Sequence, residues 1–211
     1  MLILALDTTT AAGSVALAAD ARVIEEAAIE PSAPVATRLP GDLAALLERR
    51  GAALRQVEVF AVATGPGSFT GLRIGIATMQ GLAMAAGKPL LGVSSFDALQ
   101  ALAAADRVAV WIDAWRGEVY AVAYDGERQI AAPIVAPPDA APRAALFIGD
   151  GAVRYRDRLG AERVIEPTPL LAGAVARLAH ARASRGELPP PHAIRPLYVR
   201  RPDAELARER R

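Results

Sequence analysis

The chain has 211 residues, 53% of them hydrophobic, a formal net charge of +1 and no cysteine. That length and apolar content suffice for one large domain or two small ones with a substantial core. The missing cysteines exclude disulfides and thiolate metal sites, and the near-neutral charge argues against a strong, self-sufficient nucleic-acid binder.

No apolar run reaches membrane-spanning length, so no membrane partner is expected. Met1-Leu2-Ile3-Leu4-Ala5-Leu6-Asp7 has no basic segment ahead of its apolar run. It reads as a first strand rather than a signal peptide, and a soluble cytoplasmic protein is the expectation. In chain order, apolar runs at Leu2–Leu6, Ser14–Ala19 and Arg22–Ile29 predict three strands in a meander, with Asp7-Thr8-Thr9-Thr10 turning after the first. Leu39, Leu43, Leu46 and Leu47 recur at helical spacing, which predicts an amphipathic helix over Thr37–Arg50 with Pro40 in its first turn. A strand over Val57–Ala63 follows, then a helix over Thr70–Ala86 with Ser68 or Thr70 as N-cap and Gly87 closing it. Leu90–Val93 is a short strand, and Ser95 opens a helix through Ala105.

Between the fourth strand and its helix lies Gly65-Pro66-Gly67-Ser68-Phe69-Thr70-Gly71. It fails the Walker A pattern, because Thr70 stands where the second glycine belongs and no lysine follows. It fails the G-x-G-x-x-G dinucleotide pattern, because the third glycine arrives one residue late at Gly71. A glycine turn at a helix N-terminus can still present backbone N–H groups to an anion, although Pro66 removes one donor. A purely structural turn is the other reading. The helix also carries Gly75 and Gly81, each costing about 1 kcal/mol relative to alanine, which close approach of another backbone would offset.

The grammar then repeats. Val108–Ile112 ends at Asp113, Gly117 turns, Glu118–Tyr124 is a strand, and a third is expected near Gln129–Val135. A proline-rich link (Pro133, Pro137, Pro138, Pro142), a short strand Ala145–Ile148 ending at Gly149-Asp150-Gly151, and a helix over Thr168–Ser184 follow. Pro189-Pro190-Pro191 breaks the chain ahead of an extended tail. From Arg195 onward six arginines face three acidic residues, a net +3, which suits either a solvated end or an auxiliary RNA or partner contact.

This is an α/β pattern: a degenerate duplication of a β-β-β-α-β-α unit, the actin/Hsp70/sugar-kinase-like (ribonuclease H-like) architecture in two subdomains. The expected division is residues 1–105, a smaller degenerate subdomain over 106–190, and a basic tail over 191–211. That fold normally holds ATP between its halves. Asp7 and Asp113, at the ends of corresponding strands, could face a metal-phosphate there, or could simply cap turns. Asp7, Thr8, Thr9, Gly65, Gly67 and Asp113 are therefore candidates for a vestigial nucleotide or anion site.

No catalytic constellation is evident. His180 and His192 have no partner at i+4, so no helical metal pair exists. No G-x-S-x-G nucleophile elbow occurs, and Glu25 and Glu26, neighbours on a strand, face opposite sides. No catalytic residue and no metal ligand is assigned.

Leu4-Ala5-Leu6-Asp7-Thr8-Thr9, Gly65 through Gly75 (Gly-Pro-Gly-Ser-Phe-Thr-Gly-Leu-Arg-Ile-Gly), Gly92-Val93-Ser94-Ser95 and Asp113-Ala114-Trp115-Arg116-Gly117-Glu118-Val119-Tyr120 together resemble the TsaB (YeaZ-like) family. Pro196-Leu197-Tyr198-Val199-Arg200 resembles that family's ending. The resemblance implies a non-catalytic subunit that pairs with a TsaD-like transferase and works with a TsaE-like ATPase. The complex threonylcarbamoylates N6 of the tRNA adenosine next to the anticodon, so tRNA is met through the complex, and isolated members can pair with themselves. It implies no cofactor on this chain, any nucleotide lying at the heterodimer junction. It places the partner interface on the glycine helix, at Gly71, Leu72, Arg73, Gly75, Thr78, Met79, Gly81 and Leu82. An ATP-using actin-fold enzyme and a glycoprotease-like metallopeptidase are the alternatives. The chain departs from the family pattern at Ala36-Thr37-Arg38, at Met79-Gln80-Gly81 (commonly Ala-Lys-Gly) and at Trp115 (commonly arginine).

Overall fold

A computed structural model describes residues 1–10, 13–29, 35–160, 162–166 and 170–200. The chain divides into two compact units, Met1–Ala98 with Leu170–Pro196, and Leu99–Pro169 with Leu197–Arg211.

The first unit is built on a five-stranded sheet. Its strands are β1 (Leu2–Asp7), β2 (Ser14–Ala19), β3 (Arg22–Ala28), β4 (Val59–Ala63) and β5 (Leu90–Val93). They lie in the order β3-β2-β1-β4-β5. β1 pairs antiparallel with β2 and parallel with β4, and β5 continues the parallel side. Side chains alternate across the strands. Leu4, Leu6, Val15, Leu17, Phe60 and Val62 form one core with Leu39, Leu43 and Leu46 of α1 (Val35–Arg49) and Leu72, Ile76 and Met79 of α2 (Phe69–Ala86). The alternate positions are small: Ala5, Ala16, Ala18, Ala61 and Ala63 are all buried. Against the same sheet packs α5 (Ala172–Ala183), whose own buried residues are Ala172, Gly173, Ala174, Val175, Ala176, Ala179 and Ala183. Alanine against alanine lets a helix lie close to a sheet.

This packing corrects the expected division. α5 and the segment to Pro196 belong with the first sheet, not with a 106–190 subdomain, because α5 buries its small-residue face on β1, β2 and β4. Pro40 also lies beyond the first turn of α1, where it forgoes one helix hydrogen bond.

α3 (Ser95–Ala103) begins in the first unit and ends in the second. The second unit carries β6 (Arg107–Asp113), β7 (Val119–Asp125), β8 (Arg128–Gln129), β9 (Ile134–Ala136), β10 (Leu146–Ile148) and β11 (Arg163–Val164). Its main path runs β11-β10-β6-β7-β8, with β9 also on β7. β6 pairs antiparallel with β7 and parallel with β10, repeating the arrangement around β1, so the duplicated grammar is present in the topology. Where one third strand was expected, two short pieces occur. Pro133, which has no N–H to donate, lies between them. A short α4 (Asp150–Arg154) and β11 were not anticipated, and Thr168, the expected start of the last helix, lies outside the described residues. The core of this unit centres on fully buried Trp111. Its ring meets Phe147 edge-on at 5.0 Å, and its indole N–H donates to the Pro142 carbonyl at 2.8 Å.

Candidate functional site

β1 ends in Asp7, which is 0% exposed. A buried carboxylate needs hydrogen-bond donors, and the next residues supply them. Oδ1 accepts from the Thr9 backbone N–H at 2.8 Å and from the Thr9 hydroxyl at 2.6 Å. Oδ2 accepts from the Thr10 hydroxyl at 2.6 Å, and Thr9 Oγ1 lies 3.0 Å from Ser95 Oγ. Both oxygens of Asp7 are thus engaged by its own turn, the local pattern expected of an aspartate that closes a loop.

The glycine turn folds onto this loop. Ser68 N–H donates to the Thr9 carbonyl at 2.8 Å, and Ser95 N–H donates to the Gly65 carbonyl at 2.8 Å. Ser68 caps α2, its hydroxyl accepting from Gly71 N–H at 3.2 Å. Gly67 has φ +154°, and a Cβ there would lie 2.7 Å from Thr9 Cβ and overlap the Thr9 carbonyl oxygen. A Cβ at Gly71 would overlap the Thr8 carbonyl oxygen, and one at Gly75 would overlap the Thr8 hydroxyl, which donates to the Gly71 carbonyl at 2.7 Å. These glycines let the chain approach itself. Asp7, Thr8, Thr9, Gly65 and Gly67 therefore gather into one cluster, and the N–H groups of Ser68 and Gly71 are spent inside it.

The residues expected on a partner face divide accordingly. Leu72 and Met79 are 2% and 0% exposed and sit in the core of their own unit, and Gly75 is buried against Thr8. For these three the expectation of an outward position is corrected: the strand-facing stripe of α2 claims them. Gly71 is half-buried, also against Thr8, and Thr78 and Leu82 are half-buried. Arg73 and Gly81 are exposed, and a Cβ at Gly81 would meet no heavy atom within 4 Å. The outward stripe of α2 runs through Arg73, Ala77, Gly81 and Met84, the last 63% exposed; at its start Arg73 lies 3.9 Å over the Phe69 ring.

Several residues that organise the first unit were not foreseen. Ser14, fully buried at the start of β2, accepts from Leu171 and Ala172 N–H at 3.2 and 3.0 Å, and Glu26 accepts from Gly173 N–H at 2.7 Å. Together they satisfy the first N–H groups of α5. Glu25, on the opposite face as predicted, pairs instead with Arg49 and Arg50, which hold its carboxyl below the usual range. Gln80, where the family commonly has lysine, donates to the Pro191 and Ile194 carbonyls at 3.0 and 3.2 Å and pins the triproline segment to α2. A polar residue opening a strand and a glutamine beside glycine are weak signals without knowledge of what lies across from them.

In the second unit Asp113 is 8% exposed. Its Oδ1 accepts from Trp115 N–H at 3.1 Å and its Oδ2 from Arg154 Nη1 at 3.0 Å, while its own N–H donates to Asp150 Oδ1 at 2.9 Å. Burial, and then the neighbouring Asp113 carboxylate, push the Asp150 carboxyl above the usual range. Trp115 and Arg116 both hold left-handed backbone at φ +59° and +56°, and Gly117 follows at +80°. Each such non-glycine residue costs about 1–2 kcal/mol. Among the described residues no group of three His, Cys, Asp or Glu side chains is placed to hold a metal ion.

A model of the family "TsaD: tRNA N6-adenosine threonylcarbamoyltransferase" matches residues 33–147. YeaZ from Pseudomonas aeruginosa is 35% identical with a TM-score of 0.80, over 93% of this chain and 99% of that one. The chain is a TsaB-like member of the TsaD family. The Escherichia coli tRNA threonylcarbamoyladenosine biosynthesis protein TsaB is 41% identical over 59% of this chain and 55% of its own length. An uncharacterised protein of Mycobacterium leprae is 35% identical over 97% of this chain and 56% of that protein, so this chain spans about half of each of these two relatives. More distant solved proteins, the ethanolamine utilization protein EutJ from Carboxydothermus hydrogenoformans and the activator of the 2-hydroxyisocaproyl-CoA dehydratase from Clostridium difficile, are 14% and 10% identical with TM-scores of 0.54 and 0.53 and share the fold alone.

Proposed function

We propose that this TsaB-like chain is a non-catalytic subunit that docks onto a TsaD-type transferase and supports threonylcarbamoylation of N6 of the tRNA adenosine next to the anticodon. A TsaE-like ATPase completes the assembly, tRNA is met through the complex, and this chain brings no cofactor of its own. Any nucleotide belongs to the subunit junction.

The observation that carries this reading is the use made of α2. Gly71 and Gly75 lock its inner side onto the turn after β1, while its outer side keeps a glycine with nothing around it, between Ala77 and exposed Met84. Small residues flanked by apolar ones let a second helix approach closely and bury area. Asp7 supports the non-catalytic part, since its carboxylate is occupied by Thr9 and Thr10.

The test is co-expression with the cognate transferase subunit, followed by sizing and a tRNA modification assay with and without this chain. Gly81→Leu should leave the fold intact and abolish pairing. The proposal fails if that folded variant still co-purifies, or if modification proceeds equally without the chain. Nucleotide hydrolysis by the chain alone, lost in an Asp7→Asn variant whose circular dichroism shows it folded, would instead favour an ATP-using enzyme.

A further inference from the structure

We infer that the turn Asp113–Glu118 of the second unit is a platform on which an unpaired RNA base stacks, with the indole of Trp115 as the stacking surface. The choice of RNA rests on the tRNA-modification reading above and gives it a specific contact.

Three observations meet here. Trp115 is 59% exposed, whereas the chain's other tryptophan, Trp111, is fully buried. The backbone that presents the indole is left-handed at two successive non-glycine residues. Strained backbone of this kind persists only where its surroundings fix it. The bonds that fix it are on hand: Trp115 N–H to Asp113 Oδ1 at 3.1 Å, Ala114 N–H to the Glu118 carbonyl at 3.0 Å, and Glu118 N–H to the Trp115 carbonyl at 3.0 Å. The residue stays 59% exposed, so the turn holds an aromatic ring largely out to solvent at a conformational cost.

The groups bound to the turn decide the ligand class. Arg154 is bound to the same Asp113 carboxylate that holds Trp115; the arginine is 57% exposed and the aspartate 8%, so the cation faces water and the anion lies behind it. Arg200 donates to the Ala114 carbonyl at 2.8 Å and also pairs with Glu118. Two guanidinium groups are thus tied to the backbone and carboxylates of the turn. A protein hot spot surrounds its tryptophan with contacts that exclude water. An exposed ring on a turn that also holds two fixed arginines suits a splayed base and its phosphate instead.

The probe is a synthetic RNA hairpin with an unpaired loop, against a blunt RNA duplex of equal length. Because Trp111 is buried, quenching of tryptophan emission by RNA reports on Trp115. The hairpin should quench saturably, less so as salt rises, and the duplex should quench far less. By anisotropy of labelled hairpin, Trp115→Ala should bind about 10-fold more weakly and Trp115→Phe within about threefold of wild type. Trp115→Gly relieves the left-handed backbone. It should hold or raise the melting temperature while losing the same RNA affinity, a combination that a purely structural tryptophan would not give.

The inference is overturned if the hairpin gives no quenching up to about 100 µM, the weak end of non-specific binding. It is also overturned if duplex and hairpin behave alike, or if Trp115→Ala keeps wild-type RNA affinity. Loss of the transferase subunit alone in Trp115→Ala would mark the turn as a protein contact. The two readings fail separately. A wild-type chain that never pairs with the transferase subunit sinks the first, and a pairing-competent Trp115→Ala with full RNA affinity sinks only the second.

Discussion

Three glycines of α2, given the same substitution, should respond in opposite directions. At Gly81 an added Cβ meets nothing within 4 Å, so Gly81→Ala gains only helix propensity, about 0.5–1 kcal/mol. At Gly75 the same methyl overlaps the Thr8 hydroxyl and lies 3.3 Å from Thr8 Cβ. Thr8 can rotate away, but it then surrenders its 2.7 Å bond to the Gly71 carbonyl. Crowding of about 1–3 kcal/mol and a lost hydrogen bond of about 1, less the propensity gain of about 1, leave a net loss of about 1–3 kcal/mol. At Gly71 the obstacle is the Thr8 backbone carbonyl, which has no rotamer to yield, so the loss should be the largest, about 3 kcal/mol. At about 2–4 °C per kcal/mol for a chain of this size, thermal melts should rank Gly81→Ala above wild type, then Gly75→Ala, then Gly71→Ala lowest by about 6–12 °C. Urea titrations should give the same order. If Gly71→Ala melts with wild type, or Gly81→Ala costs as much as Gly75→Ala, the assignment of inner and outer faces of α2 is wrong.

Ser14→Ala should cost about 2 kcal/mol in urea denaturation, because it strips a buried acceptor from the first two N–H groups at the start of α5. Unchanged stability would mean that α5 is held by packing alone. Asp150→Asn tests a pH dependence. A carboxyl raised on folding binds its proton more readily in the folded state, so it lowers stability above the ordinary carboxylate range and costs nothing below it. The asparagine keeps an acceptor for Asp113 N–H. The variant should therefore be more stable than wild type at neutral pH, with the gap closing as pH falls from above the ordinary carboxylate range into it. A gap that widens in acid contradicts the sign. Gln80→Ala should release the triproline segment, costing about 1 kcal/mol locally and speeding hydrogen exchange at Ala193 and Ile194. Equal exchange rates would refute the latch.

Much of the fold was legible because its signals are local. The apolar runs that became β1, β2, β4, β5 and β6, the cap at Ser68 and the left-handed stop at Gly87 are set by residues within a turn of one another. The duplicated grammar followed from two strands ending in aspartate. What escaped was decided across the sheet. Whether Gly75 faces a partner or its own chain depends on Thr8, 67 positions earlier in sequence. The membership of α5 in the first unit depends on a run of alanines on β1, β2 and β4 that a hydrophobicity pattern cannot tell from any other buried face. The short α4 and β11 were missed because five and two residues carry too little periodicity to register.

The turn after β1 also explains why a helix with a phosphate-loop appearance takes no phosphate-loop motif. A loop that binds a metal-phosphate keeps its carboxylate oxygens and helix N-terminal donors available until the ligand arrives. Here both oxygens of Asp7 are engaged by Thr9 and Thr10, Ser68 N–H is committed to Thr9, and Gly67 and Gly71 press against the Thr9 and Thr8 carbonyls. Opening that cluster for an anion would break buried hydrogen bonds worth about 1 kcal/mol each and leave a carboxylate facing the incoming negative charge. If the proposed pairing holds, a nucleotide at the subunit junction would have to draw its fixed donors from the transferase subunit. On that account Asp7→Asn should weaken the fold of the isolated chain far more than it weakens any nucleotide affinity of the pair.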